Sequence, residues 1–113
     1  MQPSMRPTVL VVDDECLVRL MAAEVFEDLG CEVLEARDGH EALALLQARP
    51  DVDLLFSDCR MPGMGGPELA AAAEQLRPDL RIVLATGYVS PVPDRWPVLW
   101  KPYKPSDLAR FVN

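Results

Sequence analysis

Along this chain, short continuous runs of apolar residues alternate with longer stretches in which apolar positions recur every three or four residues. Val9 to Val12 is apolar throughout, as a strand covered on both faces requires. Further strand-like runs cover about Glu32 to Ala36, Asp53 to Ser57, Arg81 to Ala85 and, more briefly, Val98 to Trp100. Between them the period changes. From about Cys16 to Leu29 the apolar positions Val18, Met21, Ala22, Val25 and Leu29 fall at helical spacing, and Gly30 is a stop signal. Asp38-Gly39 turns the chain into a second helix through Ala42, Leu43 and Leu46, which Pro50 ends. Pro67 stands where a first helical turn tolerates it, the alanines Ala70 to Ala73 propagate a third helix, and Pro78 closes it. Pro91, Pro93 and Pro97 argue against a full helix between Val89 and Pro97. Pro105 opens a last helix in which Leu108, Phe111 and Val112 face the core.

Strands alternating with helices predict an α/β domain around a parallel sheet. With 113 residues, 50% of them hydrophobic, there is material for one core and none for a second. Residues 1–7 read as a flexible N-terminal tail and 8–113 as the domain. A net charge of −7 opposes contact with a phosphate backbone, so direct nucleic-acid binding is not expected. Cys16, Cys31 and Cys59 are odd in number and lack a close pair, which suggests neither a disulfide framework nor a zinc site; all three read as small buried hydrophobes. No stretch approaches membrane-spanning length and the first residues lack a signal-peptide core, so a cytoplasmic protein without membrane contact is expected.

Polar residues with chemistry to offer stand where the strands end. In a parallel sheet the carboxyl ends of the strands form the functional crevice. Asp13 and Asp14 follow the first strand, Asp58 the third, Thr86 the fourth and Lys101 the fifth. Three carboxylates, an ammonium and a hydroxyl suit a hard divalent cation with a phosphoryl group, because the cation takes oxygen ligands while Lys and Thr address phosphoryl oxygens. Asp13 and Asp14 would also serve as a helix cap and first-turn acid. Capping does not account for two carboxylates opposite a third. Without a metal, three close carboxylates repel, which predicts a raised pKa for at least one.

Four ordered motifs then carry a resemblance: Val11-Val12-Asp13-Asp14-Glu15, Asp58-Cys59-Arg60-Met61-Pro62-Gly63-Met64-Gly65-Gly66, Ala85-Thr86-Gly87 and Lys101-Pro102-Tyr103. Together they resemble the receiver domain of bacterial two-component response regulators over about residues 8 to 113. The Ala-Thr-Gly-Tyr stretch is similar to single-domain receivers with a Phe-Ala-Thr-Gly-Tyr motif. The resemblance implies a CheY-like, flavodoxin-like fold: a doubly wound, five-stranded parallel sheet in the order 2-1-3-4-5, with a reduced or absent fourth helix. It implies that Asp58 accepts a phosphoryl group from a histidine kinase or histidine phosphotransfer protein. Mg²⁺ would be held by Asp13, Asp14, Asp58 and the backbone carbonyl of Arg60, one aspartate acting through water. Lys101 would neutralise phosphoryl charge, Thr86 would donate to a phosphoryl oxygen, and Gly87 would leave room for the donor imidazole. A cis Lys101–Pro102 bond belongs to the same pattern. Such a domain catalyses only its own phosphorylation and dephosphorylation, and signals to a protein partner by changing conformation.

The pattern has departures. Val98 stands three residues before Lys101, where receivers usually carry an aromatic switch residue; Tyr88 is the candidate substitute. The proline-rich segment after it leaves little helix for the usual dimer face. A dehalogenase-type Mg²⁺ phosphatase is opposed by Arg60, which occupies the place of that family's second acid. Two rival readings keep the receiver fold: a receiver excised from a hybrid histidine kinase, and a non-phosphorylated pseudo-receiver that only binds partners. The intact acid, threonine and lysine set disfavours the pseudo-receiver. His40 reads as a solvated first-turn residue, and Trp96, Tyr103 and Phe111 as packing groups.

Overall fold

Strand β1 (Thr8–Val12) is buried along its whole length because its alternate side chains feed two different cores. Val9 and Val11 pack on one side with Ala22 and Phe26 of helix α1 (Cys16–Asp28). Leu10 and Val12 pack on the other with Ala42 and Leu46 of α2 (Gly39–Ala48) and with Leu69, Ala70 and Ala73 of α3 (Gly66–Leu76). The computed structural model describes residues 6–87 and 95–112. Its other strands are β2 (Glu32–Ala36), β3 (Leu54–Asp58), β4 (Arg81–Thr86) and β5 (Val98–Trp100), and a short helix α4 (Pro105–Ala109) follows. The sheet order is β2-β1-β3-β4-β5, parallel throughout, the doubly wound flavodoxin-like topology. α1 contacts α4 on one face and α2 contacts α3 on the other. Tyr88 and most of the proline-rich segment, where the reduced helix was expected, lie outside the described residues, as do residues 1–5. Among the described residues, no helix is long and apolar enough to cross a membrane.

Two strand ends differ from the sequence expectation in the same direction. β3 begins at Leu54 and runs through Asp58, because Asp58 pairs with Ala85 in the ladder while Asp53 turns its carboxylate to the Thr8 N–H at 2.9 Å. β4 runs one residue further, with Thr86 opposite Trp100. In α1 Ala22 is buried and Val25 and Leu29 pack on the core as expected, but Met21 is not on that face. The buried stripe of the helix is Ala22, Ala23 and Phe26, and Met21 is 66% exposed together with Leu17 at 74%. Residues 22 and 26 are four apart on one helical row, whereas 21 is rotated about 100° from 22 toward solvent. Cys16 is likewise exposed and Cys59 half-buried, so the buried-hydrophobe reading holds only for Cys31. Gly30 ends α1 with φ +92°, a left-handed conformation that favours glycine. Trp96, Tyr103 and Phe111 do pack against the cores, and His40 is exposed.

Candidate functional site

Backbone hydrogen bonds bring the carboxyl ends of the strands level. The Asp13 N–H donates to the Ala36 carbonyl at 3.2 Å, the Cys59 N–H to Ala85 at 2.9 Å and the Lys101 N–H to Thr86 at 2.8 Å. The side chains then converge. Lys101 Nζ lies 2.7 Å from Asp58 Oδ1 and 3.5 Å from Asp13 Oδ2. One carboxylate oxygen from each of Asp13, Asp14 and Asp58 lies within 4.8 Å of the other two. Asp13 and Asp58 are buried, while Asp14 faces solvent. Thr86 is buried at the end of β4 beside this group, and Arg60 lies on the loop two residues beyond Asp58 with its side chain exposed. The Lys101–Pro102 bond is cis.

Packing holds these ends in place. Phe56 of β3 packs against Phe26 and Tyr103 in T-shaped pairs with centroid distances of 5.5 and 5.6 Å, tying β3 to α1 and to the chain just after Lys101. Gly66, the first residue of α3, approaches so closely that a Cβ there would run into the Asp58 carbonyl oxygen. Only glycine fits that approach. The loop after Asp58 therefore owes its path to backbone contact as well as to Met61 in the core. The capping role considered for the acidic pair divides. Asp13 Oδ1 accepts the Glu15 N–H at 2.9 Å, but the N-cap of α1 is Glu15 and no side chain caps it, so Asp14 has no such duty.

Charge balance follows from these positions. Burial pushes the Asp13 carboxyl up from its ordinary value; the Glu15 N–H and Lys101 oppose this, and the negative charges of Asp58 and Asp14 reinforce it. The expected rise is present, but desolvation leads and carboxylate repulsion comes after it. For Lys101, burial favours the neutral amine, yet the hydrogen bond and charge of Asp58, with that of Asp13, outweigh it and hold the ammonium above its ordinary value. The donor set is all oxygen, with one carboxylate open to water. It fits Mg²⁺, which keeps several waters and takes one or two carboxylates.

One contributor is absent from the motifs. Arg19 on α1 donates from Nη1 to the Asp13 carbonyl at 2.9 Å and from Nε to Glu35 Oε1 at 3.0 Å. The signal available in the sequence was an arginine soon after an acidic strand end, on a helix whose side chains lean toward its N-terminus.

The family model for the response regulator receiver domain matches residues 9–95. The chain belongs to this family and is a receiver domain of two-component phosphorylation signalling. It is 34% identical over 112 residues to the response regulator receiver protein CpdR of Brucella abortus, covering 93% of this chain and 92% of the relative. It is 33% identical over 114 residues to the sensor kinase CckA of the same organism, where the match covers 94% of this chain but spans only 12% of the kinase. Among solved structures, the chemotaxis protein CheY4 of Vibrio cholerae superposes with a TM-score of 0.85 at 32% identity, over 95% of this chain and 96% of that one.

Proposed function

We propose that Asp58 is the phosphoacceptor, taking a phosphoryl group from a phosphohistidine of a histidine kinase or phosphotransfer protein. The observation that carries this reading is the convergence of Lys101, Asp13 and Asp14 on the Asp58 carboxylate in a receiver fold. In the reaction a carboxylate oxygen of Asp58 bonds to phosphorus, the phosphorus–nitrogen bond breaks, and the imidazole leaves to be protonated from solvent. Lys101 offsets charge on the phosphoryl oxygens, and the Thr86 hydroxyl donates to one of them. Asp13, Asp14, Asp58 and the Arg60 carbonyl would hold Mg²⁺, which would supply charge that neutralises the phosphoryl oxygens. The domain acts on itself alone and passes its state to a protein partner in the cytoplasm.

The donor docks on α1. Leu17, Leu20 and Met21 are exposed there, and a cleft of about 560 Å³ between Met21, Val25 and Tyr103 continues to Lys101 at the site. Phosphoramidate with Mg²⁺ should add one phosphoryl group by intact mass to the parent chain and none to Asp58→Asn. A parent chain that stays unlabelled under conditions that label other receivers would instead favour the pseudo-receiver. Met21→Asp should slow transfer from a phosphohistidine protein and leave labelling by phosphoramidate unchanged, since the small donor needs no docking face.

A further inference from the structure

We infer that Arg19 is a positioning residue that fixes the Asp13–Asp14 peptide unit from behind and thereby sets the affinity of the site for a divalent cation. The inference rests on the metal reading above, but its evidence lies outside the ligand set. Besides its ion pair with Lys101, Asp13 is held by three hydrogen bonds: its N–H to the Ala36 carbonyl at 3.2 Å, its Oδ1 from the Glu15 N–H at 2.9 Å, and its carbonyl from Arg19 Nη1 at 2.9 Å. The third matters most for Asp14. The Asp13 carbonyl and the Asp14 nitrogen share one rigid peptide plane, so a bond that fixes the carbonyl also fixes the origin of the Asp14 side chain. Asp14 has no cap bond to hold it, and the plane behind it is its anchor.

Arg19 is itself pinned. Its side chain is 17% exposed, and its Nε donates to Glu35 on β2, in register with Val11 one residue before the strand end. The guanidinium is planar and offers donors in a fixed fork, so the two acceptors define its orientation, as a lysine could not. Glu35 also balances its charge. An unpaired cation behind the acid pair would repel a metal; an ion-paired one orients the ligands with little such cost. Partners behind a ligand are what keep metal sites in geometry.

Positioning and plain electrostatics predict opposite signs. Removing a positive charge near the site should tighten cation binding if charge alone counts, whereas loss of the strap should loosen it. The experiment is calorimetric titration of the full chain with Mg²⁺ at fixed pH and ionic strength, for the parent, Arg19→Gln, Arg19→Lys and Glu35→Gln. Arg19→Gln should raise the Mg²⁺ Kd by about tenfold. Arg19→Lys should recover part of it by reaching the Asp13 carbonyl, and Glu35→Gln, which keeps an acceptor for Nε, should stay within about twofold of the parent. In the metal-free protein, the amide resonances of Asp14 and Glu15 should move in Arg19→Gln. An unchanged or lowered Kd overturns the inference, even with a reduced melting temperature, since that is the signature of a merely structural arginine. If Arg19→Gln does not fold, a lysine variant that binds Mg²⁺ like the parent overturns it equally. Absence of binding by the parent itself removes the metal reading and this inference with it; a binding parent with insensitive variants removes the inference alone.

Discussion

At Asp13, what favours cation binding disfavours the empty fold. Its carboxyl is raised chiefly by burial, so the native chain holds that proton to higher pH than the unfolded chain does. The native state then binds more protons across this window, and stability falls as pH rises from about 3.8 through the raised native value. Asp13→Asn should therefore be more stable than the parent at pH 7 in chelator, with the advantage shrinking toward pH 4; its amide oxygen still accepts the Glu15 N–H. Urea unfolding at the two pH values measures this, and a less stable asparagine variant at pH 7 would show that the Lys101 contact outweighs burial. Lys101 gives the converse case. Lys101→Met leaves Asp13 and Asp58 close and buried without their counter-charge, and should cost about 3 kcal/mol at pH 7. The loss should lessen with acid, as the Asp13 carboxylate protonates.

Among the elements, the strands were the most legible, because an uninterrupted run such as Val9 to Val12 suits only a strand covered on both faces. That run, with Asp13, Asp58, Thr86 and Lys101 at successive strand ends, was enough to bring four site residues to one sheet edge. Helix facing was less legible. Ala22, Ala23 and Phe26 form the buried stripe of α1; the apolar pattern picked out Ala22 but added the exposed Met21 and passed over Ala23 and Phe26, since alanine carries little pattern signal. Contacts made through backbone were not legible at all: Arg19 on the Asp13 carbonyl and Gly66 on the Asp58 carbonyl leave no mark in hydrophobic periodicity. The second of these has a direct test. Gly66→Ala forces α3 away from the end of β3, and overpacking of this kind should cost about 2–3 kcal/mol. Because the strain falls on the Asp58 backbone, labelling by phosphoramidate should slow as well; a variant labelled at the parent rate would mean that α3 shifts as a unit and leaves the strand end alone.

Across the whole molecule, the sheet ties the site at its carboxyl edge to the flanking strand β5 through the β4–β5 ladder. The proposed metal site links stability to divalent cation: Mg²⁺ at about a hundred times its Kd should raise stability by about 2.7 kcal/mol. Phosphorylation can shift the population of a second state by no more than its differential interaction with that state. Val98 is partly buried against the α2 and α3 side of the core and cannot make the rotamer exchange of an aromatic at that place. The expected coupling then runs from Thr86 to its ladder partner Trp100 on β5. Trp96 lies partly buried just before β5, and Trp100, 49% exposed, pairs with Thr86 across the ladder. Both indoles therefore report on it. Emission should change when Mg²⁺ and beryllofluoride are added, and Thr86→Ala should remove most of the change while still binding the mimic. An unchanged emission spectrum in the parent, with the mimic bound by calorimetry, would make the domain a phosphoryl store that relays the group without moving β5.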